Sequence, residues 1–399
     1  MSVSANITDA SHLTYREKTN LGSFYTPLPI VRRLYDMLLR NVGTDAADVI
    51  LENACGYGAF FAEPTGQKHA RLVGSDTDAA ALDIARRNFP DVQFIKANAL
   101  TNISRAKYGI HKNERLIIIG NPPYNDVTSH AKNRIKSKST PCEIDPAVRT
   151  RDLGLSFLLS FEKLSPDYIA ILHPLSYLIK QTNFKTLRPL MRRYALRDTL
   201  VFNSRTFSDT SKASGFPIVI ALYARDEHGT DYNHIIHRRF RTIEGADFSL
   251  SDFDYISRYI SKYPARLPPA TQPPSHFRFF TMRDINALKR SRTFIREDTP
   301  NTIHIPSEKL PLYCYVDAFK DIAPTLPYYL GNFDVMFDRA GFEKIQNDFL
   351  LLSAAKHPAI FSPPPATTTA KHLRAARTRI HAHFTNLLAP HTHVYPNED

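Results

Sequence analysis

The tetrapeptide Asn121-Pro122-Pro123-Tyr124 is the part of this 399-residue chain whose residue types can do chemistry together. From average composition it would arise by chance in a chain this long on the order of once in a thousand. An exocyclic amine conjugated to a ring or a carbonyl is a poor nucleophile, because its lone pair is delocalised. Two acceptors that take both of its N–H bonds draw the nitrogen toward sp³ geometry and release that pair. The Asn121 side-chain oxygen and the Pro122 carbonyl are suited to be those acceptors. The prolines remove competing N–H donors and stiffen the turn, which preorganises the acceptors. Tyr124 offers a flat face for a planar group. Neither a metal nor a strong base is needed when the electrophile is a sulfonium methyl. A plain Asn-Pro turn would account for one proline, but not for the second or for the aromatic.

The elements around this turn must hold it at the end of a strand. Leu116–Ile119 is apolar on both faces, as a central strand of a parallel sheet is, and ligands bind beyond the carboxyl ends of such strands. Pro29–Arg40 carries a helical stripe of Ile30, Val31, Leu34, Met37 and Leu38. Short strands are predicted at Val49–Leu51, Arg71–Asp76 and Val92–Ile95, with a helix after the second. Helix Leu153–Leu164, strand Tyr168–Leu172, helix Gln181–Leu196 and strands near Leu200 and over Pro217–Tyr223 follow. The alternation predicts an α/β fold with a doubly wound, mostly parallel sheet. After about residue 230 the rhythm is lost. Pro264–Pro274 reads as an extended linker, and a basic terminal helix is predicted over Ala370–Leu388, with Leu373, Ala376, Ile380, Phe384 and Leu387 as its apolar stripe. Two domains are expected, 1–245 and a C-terminal α+β domain, 246–399.

Composition narrows the class. With 51 Lys and Arg against 39 Asp and Glu the net charge is +12, which suits an anionic partner, nucleic acid first. Residues 1–130 balance to +1, 131–229 to +7 and 230–399 to +4, so the excess begins just after the Asn121–Tyr124 turn. Three scattered cysteines make neither a disulfide framework nor a zinc site. The sixteen histidines include pairs two apart, a spacing that does not share a helix face, so no metal is expected. The polar start of the chain reads as no secretory leader, no segment reads as a membrane span, and a cytoplasmic location is expected. No Glu-x-Lys tripeptide occurs, so a fused nuclease of that kind is not expected.

In the order of its motifs the chain resembles the γ-class adenine-N6 DNA methyltransferases of restriction–modification systems, over roughly residues 20 to 225. The resemblance implies the S-adenosylmethionine-dependent methyltransferase fold, that cofactor as methyl donor, and double-stranded DNA as substrate, with a separate restriction endonuclease acting on the same site. Gly22-Ser23-Phe24-Tyr25-Thr26-Pro27 resembles the motif that closes over the cofactor, which implies Tyr25 and Thr26 as contacts. Glu52-Asn53-Ala54-Cys55-Gly56-Tyr57-Gly58 resembles the family's Asp-Pro-Ala-Cys-Gly-Ser-Gly loop, which implies Glu52, Ala54, Gly56 and Gly58. Glu, Asn and Tyr replace Asp, Pro and Ser there. Asp76, at a strand end, would accept the ribose hydroxyls, while Asp78 is expected to cap the next helix. Asn98 takes the place of the acid that meets the adenine amine, and Asn121 closes the cofactor set. The target adenine must leave the duplex to reach a methyl donor. Tyr124 and Phe207 would then be its two walls, with Phe216 as the alternative to Phe207. Lys132, Arg134, Lys136 and Lys138 are expected to contact phosphate, and residues 246–399 to read sequence. An RNA adenine-N6 methyltransferase, a protein-glutamine N5 methyltransferase and a nucleic-acid-binding module without catalysis are the competing readings. A protein of this charge distribution should bind DNA with an affinity that falls steeply between 50 and 200 mM salt, by about 10³-fold for six phosphate contacts. A salt titration followed by fluorescence anisotropy checks it, and a flat profile would remove the charge argument.

Overall fold

The computed structural model describes residues 26–124, 143–207, 215–265, 277–361 and 369–392. The chain forms two compact units, one ending at Asp247 and one beginning at Phe248.

The first unit is built on a seven-stranded sheet. In chain order its main elements are α1 (Leu28–Val42), β1 (Val49–Glu52), β2 (Arg71–Asp76), α2 (Ala79–Asn88), β3 (Gln93–Lys96) and β4 (Leu116–Gly120). They are followed by α3 (Leu153–Leu164), β5 (Tyr168–Pro174), β6 (Tyr194–Asn203) and β7 (Pro217–Arg225). The strand order is β3-β2-β1-β4-β5-β7-β6. All neighbours from β3 to β5 are parallel, and β7 runs antiparallel to both β5 and β6. The doubly wound, mostly parallel sheet expected from the alternating pattern is therefore present. From β1 the chain winds outward through β2 and β3 and then returns to β4 on the other side. The switch point, where α/β sheets open a crevice, thus lies between the ends of β1 and β4.

Side-chain alternation puts one face of the sheet on α1. Ile117 and Ile119 of β4, Ala170 and Leu172 of β5, and Ile218, Ile220 and Leu222 of β7 share a core with Ile30, Val31, Leu34, Tyr35, Met37 and Leu38. α1 ends where Gly43 turns to φ 79°, its N–H bonded to the Leu39 carbonyl at 3.0 Å. Asp78 caps α2 as expected, accepting from the N–H groups of Ala80 (2.9 Å) and Ala81 (3.2 Å).

One expected element is different. The helix over Gln181–Leu196 is broken into Gln181–Thr186 and Arg188–Met191, and Tyr194 already begins β6. Pro189 lacks the N–H that would continue the first helix, and its ring would meet the preceding turn. Tyr194, Ala195 and Leu196 pair instead with Arg225, Ala224 and Tyr223 of β7, so long-range pairing overrides the local helical period.

The second unit is α+β and mainly helical. β8 (Arg278–Phe280) and β9 (Thr302–His304) form an antiparallel pair. α4 (Leu310–Ile322), α5 (Arg339–Lys356) and α6 (Ala370–Thr392) carry its aromatic core. Tyr315 is its hub, with ring centroids 5.1 Å from Phe337, 5.1 Å from Phe349 and 5.3 Å from Phe384. On α6 the buried face is Ala376, Ile380, His383, Phe384 and Leu388, while Leu373 and Leu387 of the expected stripe are only half-buried. Among the described residues no helix is long and apolar enough to cross a membrane. Removing the α2 cap with Asp78→Ala should cost about 1 kcal/mol. In a unit of this size that is a drop of about 2–4 °C in Tm, measurable by differential scanning calorimetry.

Candidate active site

The Asn121–Tyr124 turn leaves the carboxyl end of β4, all five residues of which are buried. Gly120 takes φ 138°, and a Cβ on it would lie 3.2 Å from Cγ of Glu52. Only glycine supplies this backbone direction without strain, and its lack of a side chain lets the last residue of β1 pack beneath the turn. Pro122 is buried, and Asn121, Pro123 and Tyr124 are half-buried. Asn121 Nδ2 donates to Thr26 Oγ1 at 3.2 Å, so Thr26, itself buried, holds the amide. Asn121 Oδ1 is buried and has no hydrogen-bond partner. Buried polar atoms are almost always satisfied, so this acceptor is available to a donor from outside the chain. Tyr124 packs on the apolar core around α1, and burial holds its phenol well above the usual range.

At the switch point the loop after β1 supplies a cradle. Gly56 and Gly58 have φ of 50° and 80°. A Cβ on Gly56 would meet nothing within 4 Å, so this backbone faces open space, whereas one on Gly58 would press on Phe89 at 3.1 Å. Ala54 is half-buried in the same loop, and Tyr57, which stands where the family has serine, is tucked away at 7% exposure. The carboxylate of Asp76 accepts the Gly56 N–H at 2.8 Å and the Asp78 N–H at 3.0 Å, which ties the loop to the end of β2. Burial nevertheless raises the Asp76 pKa. Glu52 is 3% exposed with Oε2 unpartnered. Burial first, and the nearby Asp76 second, push its carboxyl well above the ordinary range.

Asn98 uses both ends of its amide within the chain. Its Oδ1 accepts the Leu100 N–H at 2.9 Å and its Nδ2 donates to the Glu143 carbonyl at 2.8 Å. One lone pair of that oxygen remains for an outside donor. Phe207, expected as a wall of the base site, is instead a core ring at 2% exposure, 5.7 Å from Phe202. Phe216 packs on the same core but is half-exposed. Tyr25, Lys132, Arg134, Lys136 and Lys138 lie outside the described residues. Sequence reasoning missed Gly154, where a Cβ would fall 2.8 Å from Tyr124 Cβ. The available signal was a glycine in the first turn of an otherwise apolar helix, which has to have a packing reason. Among the described residues no three His, Cys, Asp or Glu side chains gather as metal ligands do.

Residues 10–211, just over half of the chain, match the family model described as N-6 DNA methylase. The chain belongs to the N-6 DNA methylase family. It is an adenine-N6 DNA methyltransferase. The methylase is similar to MmeI, a type IIL restriction–modification enzyme solved in complex with DNA, at 10% identity and a TM-score of 0.46, over 97% of this chain and 78% of that one. It is also similar to the methyltransferase subunit of a type I restriction–modification system from Streptococcus thermophilus, at 12% identity and a TM-score of 0.38, over 82% of this chain and 57% of that one. No curated protein sequence matches the methylase.

The residues present fit S-adenosylmethionine as methyl donor: an open backbone at Gly56 and a carboxylate at the end of β2. The methylase carries Glu52 at a cost that depends on pH. Below the ordinary value of 4.5 both folded and unfolded states hold the Glu52 proton. Above it the unfolded chain ionises first, so folding loses stability as pH rises. Glu52→Gln should therefore raise Tm more at pH 8 than at pH 5. Thermal unfolding at the two pH values checks this, and an equal or smaller gain at pH 8 would contradict it.

Proposed function

We propose that the turn at Asn121–Tyr124 receives an adenine turned out of the DNA helix and activates its N6 amine. The observation that carries this reading is the buried Asn121 Oδ1 without a partner. It stands at the carboxyl end of the central strand and is oriented by Thr26. Asn121 Oδ1 and the Pro122 carbonyl accept the two N–H bonds of the amine and localise its lone pair on nitrogen. Tyr124 stacks on the adenine ring. Because Phe207 is in the core, the half-exposed Phe216 is the better-placed second wall. S-adenosylmethionine, when bound, supplies an electrophilic methyl group on its sulfonium. Gly56, Gly58 and Ala54 shape the backbone around that cofactor, Thr26 contacts its methionine end, and Glu52 lines the base of its site. Tyr25, the other contact implied by the resemblance, lies outside the described residues. Asp76 accepts its ribose hydroxyls, and the second lone pair of Asn98 Oδ1 accepts its adenine amine.

On this reading residues 246–399 recognise the DNA sequence. Arg283, Arg290, Arg292 and Arg296 are exposed there, and none has a carboxylate partner among the described residues. Lys132, Arg134, Lys136 and Lys138, which follow the turn in sequence and lie outside the described residues, are the proposed phosphate contacts. The enzyme works in the cytoplasm as the modification half of a restriction–modification pair, with a separate endonuclease cutting the same site. Asn121→Ala should lower methyl transfer by about 10²–10³-fold or more and leave cofactor binding near normal. Tritiated S-adenosylmethionine offered with duplex DNA, RNA and protein separately measures the first, and calorimetry the second. Full activity in the variant, or label entering RNA or protein instead of DNA, would overturn the proposal.

A further inference from the structure

Behind Tyr124 the structure holds a buried polar chain that the mechanism above does not use. Asp152 caps α3, its Oδ1 accepting the Gly154 N–H at 3.0 Å. The same oxygen accepts the hydroxyl of Tyr177. Tyr177 follows β5 and is 1% exposed. Its ring stacks on His173 of β5 with centroids 5.5 Å apart and planes 15° apart. His173 Nδ1 lies 2.9 Å from the Pro174 carbonyl, which can only accept, so this nitrogen carries the proton. Nε2 therefore accepts, at 2.8 Å, from the hydroxyl of Tyr223 on β7. Burial lowers the His173 pKa to about 4, so the ring stays neutral and keeps this arrangement through the physiological range.

The chain ends on the catalytic turn. At Gly154 a Cβ would lie 2.5 Å from the Tyr177 hydroxyl and 2.8 Å from Tyr124 Cβ. The two tyrosines thus meet over the bare Cα of Gly154, in the space a side chain there would take. The helix cap fixes where that backbone sits, and Tyr177 fixes the cap.

We propose that Asp152, Gly154 and Tyr177 are positioning residues for Tyr124, forming a rigid backstop that sets the depth of its ring in the base site. The inference rests on Tyr124 belonging to that site. The fold itself does not need the Tyr177 hydroxyl, because the buried ring keeps its stacking without it. Gly154 adds an independent handle: a single methyl group there presses Tyr124 out of place on one side and the Tyr177 hydroxyl on the other.

The experiment compares Tyr177→Phe, Gly154→Ala, the double variant and Tyr124→Ala in the full-length protein. Methyl transfer from tritiated S-adenosylmethionine to unmethylated genomic DNA gives kcat and the KM for DNA. Calorimetry gives cofactor affinity, and circular dichroism confirms folding. Tyr177→Phe and Gly154→Ala should each lower kcat by about tenfold, since sub-ångström errors in placement are felt at the reacting centre. Cofactor affinity and the KM for DNA should be little changed. The double variant should recover part of the Gly154→Ala loss, because the missing hydroxyl lets the new methyl group retreat from Tyr124. If Tyr124→Ala lowers kcat while Tyr177→Phe leaves it intact, the backstop is wrong and the site reading stands. If Tyr124→Ala has no effect, the site reading itself fails. A fall in kcat matched by an equal loss of cofactor affinity would mean general destabilisation and would overturn the positioning role. Tyr177→Phe keeps the test decisive if Gly154→Ala does not fold.

Discussion

An unpaired oxygen held inside the protein at the end of its most apolar strand is the constraint on which the site depends. Leaving Asn121 Oδ1 buried without a donor costs about 1–3 kcal/mol, and a flexible loop would relieve that cost by turning the amide to water. Here relief is blocked from several directions. β4 is locked between β1 and β5 by parallel pairing. Gly120 aims the chain, Pro122 is buried, and Thr26 holds the amide nitrogen. The energy stored in an unmet hydrogen bond becomes selectivity, because a ligand with an N–H in the right place removes the penalty and one without it does not.

A second unfavourable feature adjoins the first. Glu52 lies under the same turn and carries a carboxyl that resists ionisation, close to Asp76. The two acids differ in how they are supported. Asp76 receives two backbone N–H groups that fix its direction, while one oxygen of Glu52 receives none. Burial raises the pKa of both carboxyls, and only Asp76 has backbone donors that oppose the shift. The switch point is where the fold concentrates destabilising polar groups, and the apolar sheet around α1 is what tolerates them.

Much of this is legible in the sequence because it is local or periodic. The residues Leu116–Gly120, apolar on both faces, could only be a central strand, and a motif directly after such a strand has its place assigned by topology. Gly56 and Gly58 showed as a turn, Asp76 as a strand end, and Asp78 as a cap, since each depends on neighbours a few positions away. What escaped depends on contacts across the chain. Nothing near Phe207 says that it lies on Phe202 in the core and not at the mouth of the site. The stretch around Pro189 has a helical spacing of apolar residues, and only the pairing with β7 turns its end into strand. The closeness of Gly154 to Tyr124 is likewise a product of how α3 meets the sheet.

The burial of α3 has a consequence for how such an enzyme can change over time. From Gly154 through Glu162 every residue of this helix is buried, as is Leu164. A helix enclosed on all sides offers almost no position where a substitution is neutral. Its first turn nevertheless abuts Tyr124, the aromatic proposed to meet the substrate. Drift at the surface therefore cannot adjust that wall by small steps. Lineages descending from this protein would have to vary specificity through segments remote from α3, with the chemistry at the turn inherited unchanged.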